Sequence, residues 1–208
     1  MIEKYENELL AFAQKEMSQD PAHDINHVLR VVKTAKDLCH QEKGKLKIVL
    51  PAAYLHDCFS FAKNHPDRAH SSKIAADKAI EFLKLIGYPS AYLDDIHHAI
   101  TAHSYSANIK PRTLEGEIVQ DADRLDSLGA IGITRCLQVG ASLEMPLYSN
   151  CDTFCKQRLP DDRNYTIDHF YVKLFSLADK MNTESARIEG RHRTKFMREY
   201  LQQLKTEV

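Results

Sequence analysis

The stretch "IVLPAAYLHDCFSF", Ile48 to Phe61, decides how this chain is read. Its first part has the make-up of a buried helix, carrying Ile48, Val49, Ala52, Ala53 and Leu55, with Pro51 either opening the main part or kinking it. His56 and Asp57 then continue the same apolar run. Burying two titratable groups side by side costs several kcal/mol unless something compensates. The pair therefore needs a partner that the rest of the chain must supply.

Outward from that stretch the apolar spacing stays helical. A first helix is expected over about residues 2–17. The loop "SQDPAHD" leads to a second, whose apolar positions Val28, Val31, Val32, Ala35, Leu38 and Cys39 follow 3.6 spacing, with Asp24 as N-cap and Gly44 as its end. After the polar loop "SFAKNHPDRAH" a helix runs from Ser71 to Ile86, punctuated by Gly87. Ser90 is expected to cap a further helix with Leu93, Ile96, Ile100 and His103 on one face and His98 on the opposite, polar side. A long helical pattern from about Thr113 contains "VQDADRLDSLGAIGITR", where Gly129 and Gly132 would let another helix approach closely. A polar loop from Ser149 to Asn164 precedes C-terminal helices over about 165–205.

With 7 glycines and 7 prolines and no persuasive alternating stretch, the expected fold is all-α. The 208 residues, 43% hydrophobic, suffice for one core, so a single domain over 1–208 is expected, its chemistry within about 20–140. A net charge of −1, from 28 basic and 29 acidic side chains, excludes a general attraction to nucleic acid or anionic lipid. Any anionic ligand must be held locally. No apolar stretch approaches the roughly 20 residues of a membrane span, and "MIEKYENELLAFAQKEM" lacks a signal-peptide core, so a cytoplasmic protein is expected. The 5 cysteines form no C-x-x-C pair, which argues against a disulfide framework and a zinc ribbon. Cys151 and Cys155 read as ordinary thiols. The 11 histidines are the unusual feature.

Several of the histidines and acids border core-facing stripes: His27 on the second helix, His56 and Asp57 on the third, and the aspartates of "DADRLD" later. A divalent cation is the partner that all of them want, because neutral imidazole and ionised carboxylate both donate to a metal whose charge offsets the desolvation. On one helix, adjacent side chains diverge by about 100°, so His56 and Asp57 are expected to flank the ion rather than point the same way. Asp121, Asp123 and Asp126 cannot be ranked by helical spacing.

With these residues in hand, the chain resembles the HD-domain metal-dependent phosphohydrolases. Their ordered pattern H…HD…D maps onto His27, His56, Asp57 and Asp123. The runs "HDINHVLRV", "AAYLHD", "KNHPDRAHSS", "AITAHSYS", "VQDADRLDSLGAIGITR" and "DHFYVKLFSLADKMNT" look like a bacterial branch of small stand-alone HD hydrolases, a likeness that covers about residues 20–198. The resemblance implies one or two divalent ions, Mn2+ or Mg2+ foremost, with Fe, Ni, Co and Zn also compatible. Its assigned members resemble nucleotide pyrophosphohydrolases acting on nucleoside or deoxynucleoside triphosphates.

It also makes Asp123 the acidic ligand of "D-x-D-[RK]", leaving Asp121 and Asp126 to orient a ligand histidine or pair with a basic group. Lys63, Asn64, His65 and Arg68 then lie where a loop could clamp phosphates. Arg124 either binds phosphate or pairs with an acid such as Asp126. His103 either donates a proton to the leaving group or is a core histidine. The chain departs from the nucleotidase branch at Ser60, where those proteins resemble one another in carrying glutamate. Two other functions fit the same residues: a di-iron oxygenase using His103 with His97 or His98, and a silent nucleotide-binding module. No membrane or nucleic-acid partner is expected, and the oligomeric state is open.

Overall fold

A computed structural model describes residues 3–17, 24–61 and 65–208. Lys63 and Asn64, both expected to contact phosphate, lie outside the described residues. Among the described residues the elements are helical throughout and there is no strand, as the 3.6-residue spacing requires. The chain divides into two compact units, Met1–Asp123 and Arg124–Val208.

In the first unit, α3 (Leu46–Leu55) is the hub, packed by α1 (Glu3–Glu16), α2 (Ile25–Glu42), α4 (Ser71–Leu85) and α5 (Leu93–His103). Every residue of α3 from Ile48 to Leu55 is buried, the pattern of a helix with no solvent face. Pro51 sits in its interior, where the ring removes the N–H that would bond the carbonyl of Lys47. The Tyr88 hydroxyl donates to that carbonyl at 2.6 Å, so the proline leaves no orphan acceptor.

Asp24 caps α2 as expected, its carboxylate accepting from the His27 amide at 2.8 Å. The other end differs from expectation. Lys43, not Gly44, takes the left-handed conformation with φ of 58°, and Gly44 is needed for space: a Cβ there would lie 2.8 Å from Ile118 Cδ1. That close approach seats α6 (Leu114–Leu125) against the turn before α3. The Lys45 amide donates to buried Glu115 at 3.0 Å, and Gln120 donates to the Ala102 carbonyl at 2.7 Å. Ser90 opens a 3-10 turn, Ser90–Tyr92, ahead of α5 rather than capping the helix with its side chain.

The expected long helix after Thr113 is two: α6 ends at Leu125, and α7 (Gly129–Ser142) follows a tight turn. Gly129 has φ of +73°, a conformation that only glycine adopts freely. At Gly132 a Cβ would lie 2.3 Å from the Ser127 carbonyl oxygen. Gly132 therefore serves the turn before its own helix and not the approach of another.

In the second unit α7 packs on α9 (Glu184–Leu204), which Thr183 caps by accepting from the Ala186 amide at 3.3 Å. Arg193 of α9 donates to the Leu125 carbonyl at 2.7 Å and lays its side chain along Gly129. The segment Phe170–Leu174 winds with π-helical turns into α8 (Phe175–Leu177) and a 3-10 turn, Ala178–Lys180. The loop before it is anchored by Arg158, whose guanidinium forks onto the fully buried Asp168.

Candidate metal centre

The candidate centre lies within the first unit, where four helices each bring one end of a chemical group to the same point. α2 contributes His27, the end of α3 contributes His56 and Asp57, α5 contributes His103 and α6 contributes Asp123. His27 and His56 are fully buried, while the side chains of Asp57 and Asp123 keep 15% and 27% of their exposure. The centre is thus dry on the imidazole side and open on the carboxylate side.

His56 and Asp57 reach one point from adjacent positions: α3 stops at Leu55, His56 is its C-cap with a still helical backbone, and Asp57 lies in the following turn. His56 Nε2 and Asp57 Oδ2 converge to 3.5 Å. His27 Nε2 lies 3.3 Å from His56 Nε2, 3.6 Å from Asp57 Oδ2 and 3.5 Å from Asp123 Oδ1. His56 Nε2 is 4.0 Å from Asp123 Oδ1.

Protonation states follow from the neighbours. His56 Nδ1 is 2.8 Å from the Ala53 carbonyl, which can only accept, so Nδ1 carries the hydrogen and the Nε2 lone pair faces the cluster. Burial pushes the His56 imidazole down to about 4, so it is neutral at physiological pH. Burial by itself would raise the Asp57 carboxyl, but the imidazoles of His56, His103 and His27 outweigh it and hold Asp57 well below 3.8. Burial of Asp123 is outweighed in the same way by His27, His56 and His103, and its carboxyl is also lowered. The result is two ionised carboxylates and a neutral imidazole aimed at one point.

That arrangement is the test of whether a cation fits. Three acceptor atoms, His56 Nε2, Asp57 Oδ2 and Asp123 Oδ1, lie within 3.6 Å of His27 Nε2, and one proton on that nitrogen cannot serve all three. Neighbouring oxygen or nitrogen ligands on one octahedral ion are about 3 Å apart, close to these separations. The ligand atoms of His27, His56 and Asp57 all lie within 4.8 Å of one another, and the mixed imidazole and carboxylate set suits a divalent ion.

His103 closes the α5 side. Its Nδ1 donates to the Ile100 carbonyl at 2.6 Å, its Nε2 is 3.5 Å from Asp57 Oδ1, and its ring meets that of His56 edge to face with centroids 4.9 Å apart. Burial would lower its pKa, but the Asp57 carboxylate outweighs it and the net direction is upward.

The backbone carbonyls of Ala53 and Ile100 belong to this site although no side-chain pattern names them. Their only sequence signal is position, three residues before each histidine.

Other expected residues are spread around the first unit. On the turn that follows Asp57, His65 stacks on Phe61, with centroids 4.2 Å apart and planes at 6°, and its Nδ1 accepts from the Asp67 amide at 3.1 Å. Arg68 donates through Nη1 to the Phe61 carbonyl at 2.7 Å, which makes it a brace of this loop. Ser60, in the position where the nucleotidase branch carries glutamate, donates to the same carbonyl at 3.3 Å. Asp121 is fully buried on α6. The histidines that an oxygenase would need are used elsewhere: His97 pairs with Asp77 at 2.8 Å, and His98 accepts from the Arg112 amide at 2.9 Å.

Two expected residues belong to the second unit. Arg124 donates to the Lys180 carbonyl at 2.6 Å, and Asp126 accepts from Arg135 at 2.8 Å, the basic partner anticipated for an acid of "DADRLD". Cys39, Cys58, Cys136, Cys151 and Cys155 form no disulfide.

Comparison with known proteins agrees with this geometry. A family profile described as the HD domain matches residues 24–128, the span from the α2 cap to the turn after α6. A Bacillus subtilis (strain 168) protein, YpgQ, is 31% identical over 194 residues, covering 91% of this chain and 86% of its own. The crystal structure of Bacillus subtilis YpgQ in complex with ADP superposes with a TM-score of 0.76 at 30% identity, covering 99% of this chain and 95% of that one. An HD-superfamily hydrolase from Bacillus thuringiensis superposes with a TM-score of 0.77 at 30% identity, covering 100% of this chain and 98% of that one. With that profile spanning the segment that carries all five converging side chains, the chain belongs to the HD-domain family.

Proposed function

We propose that this protein is a metal-dependent phosphohydrolase that cleaves a nucleotide phosphoanhydride, converting a nucleoside or deoxynucleoside triphosphate to the monophosphate and pyrophosphate. The observation that carries the reading is the convergence of His27, His56, Asp57 and Asp123 on one point, with the His56 tautomer set by Ala53 and both carboxylates ionised. The similarity to YpgQ, crystallised with ADP, supports a nucleotide as the ligand.

His27, His56, Asp57 and Asp123 would hold a divalent ion, Mn2+ or Mg2+. Such an ion lowers the pKa of bound water toward neutrality and polarises a phosphoryl oxygen. The protein's own groups do the rest. The partly open carboxylate side admits the phosphates, while the buried imidazoles exclude bulk water from the opposite side. His103, with Nδ1 committed to Ile100 and Nε2 facing Asp57, holds a proton at Nε2 that can pass to the oxygen leaving phosphorus as the phosphoanhydride bond breaks. Lys63 and Asn64 supply donors for the charge on the phosphate oxygens.

The test is hydrolysis by purified protein with added Mn2+ or Mg2+ across nucleoside tri-, di- and monophosphates, with pyrophosphate and orthophosphate measured separately. Release of one pyrophosphate per triphosphate supports the reading. Orthophosphate from a monophosphate would move the reaction to a phosphoester. Tight nucleotide binding without turnover would make the protein a binding module.

A further inference from the structure

The turn after Asp57 presents aromatic side chains in an arrangement that metal binding does not use. Phe61 and His65 lie parallel, with ring centroids 4.2 Å apart and planes at 6°. Phe59 meets the edge of Phe61 at 86° with centroids 5.0 Å apart. Phe59 and Phe61 are half-buried, while the His65 side chain keeps 39% of its exposure, so the pile begins against the protein and ends at solvent.

Phe61 and His65 are each held by hydrogen bonds to described neighbours. The Phe61 amide donates to Ser71 Oγ at 3.1 Å, and its carbonyl accepts from Arg68 Nη1 at 2.7 Å. The Asp67 amide donates to His65 Nδ1 at 3.1 Å, which holds the imidazole in the stacked plane. Backbone and side-chain bonds at both rings give a plate that loses little freedom when something lies on it.

We propose that Phe61 and His65 form the stacking platform for the nucleobase, with Phe59 supporting Phe61 from the side. The inference rests on the nucleotide reading of the metal centre. Phe61 follows Asp57 by four residues, so it lies no more than about 14 Å along the chain from the metal centre, within reach of a nucleotide whose phosphates meet the metal ligands. An aromatic ring stacks on any base through its π face, so the platform gives affinity for the nucleoside part without choosing among bases. With Nδ1 occupied by the Asp67 amide, His65 retains one ring nitrogen, Nε2, and so offers no donor pair for phosphate.

Binding of ADP and of inorganic pyrophosphate, each with Mn2+, is compared by calorimetry in the wild type, His65→Ala, His65→Phe and Phe61→Leu. Loss of one stacked aromatic is worth roughly tenfold in dissociation constant. His65→Ala and Phe61→Leu are expected to weaken ADP by about that factor and to leave pyrophosphate within twofold, while His65→Phe keeps ADP affinity. ADP affinity unchanged in His65→Ala overturns the platform, and so does an equal loss for pyrophosphate, which would place the ring on the phosphates. Failure of ADP to bind the wild type overturns the nucleotide reading together with the platform.

Discussion

Asp57 reaches all three histidines of the centre, with Oδ2 3.5 Å from His56 Nε2 and 3.6 Å from His27 Nε2, and Oδ1 3.5 Å from His103 Nε2. Asp57→Asn keeps the shape and removes the charge. A ligand at a hundredfold excess over its dissociation constant stabilises the folded state by about 2.7 kcal/mol. For a chain of this size each kcal/mol moves the melting temperature by about 2–4 °C. The wild type should therefore melt roughly 5–10 °C higher in saturating Mn2+ than in chelator. In Asp57→Asn that increment should vanish at the same Mn2+ concentration, because the amide replaces an ionised ligand whose charge offset the ion. Without metal the variant should melt below the wild type, since the imidazoles of His56, His103 and His27 stabilise the ionised Asp57 carboxylate in the fold and the amide forfeits that interaction. Differential scanning fluorimetry with and without Mn2+ makes the comparison. An unchanged Mn2+ increment in Asp57→Asn would refute the assignment of this carboxylate to the metal.

Asp123→Asn should lose metal and hydrolysis together, while Asp121→Asn, altering a buried neighbour on α6, should retain measurable metal and partial activity; metal content per chain by mass spectrometry decides, and the reverse order would move the ligand half a turn. Lys63→Ala should lower kcat by about 10- to 1000-fold with metal content unchanged, and unaltered kinetics would return that loop to solvent. In the second unit, burial of Asp168 is outweighed by Arg158 and the Asp161 amide, so its carboxyl titrates below 3.8. Its contribution to stability is therefore complete above about pH 4 and is lost as the pH falls through the folded value. Asp168→Asn should cost about 3 kcal/mol at pH 7 and less at pH 3, read from urea midpoints at the two pH values; an equal loss at both would exclude the ionised pair as the cause.

The sequence by itself determined the helical class and the names of the converging residues. Apolar periodicity reports which side of a helix faces the core, and it did so for α2, α3 and α5 because each buries a continuous stripe. A histidine on such a stripe has to be compensated, which marked His56 before any coordinates. Choosing Asp123 over Asp121 took the family likeness, since both acids lie in the core of α6 by spacing alone.

Tertiary structure alone decided the rest, because each of those facts depends on where a helix ends or on what it meets. The Tyr88 hydroxyl on the Lys47 carbonyl explains how Pro51 is tolerated inside α3, and no local signal links residues 41 apart. Gly44 is there for Ile118 of α6 and not to end α2. The Ser127 carbonyl fills the space that a side chain at residue 132 would need, which splits one helical pattern into α6 and α7. His56 Nε2 and Asp57 Oδ2 come within 3.5 Å of each other where α3 stops at Leu55, an end that periodicity does not mark. Periodicity sees the direction of a side chain from its own helix; where helices end, and what their ends meet, is settled by packing between them.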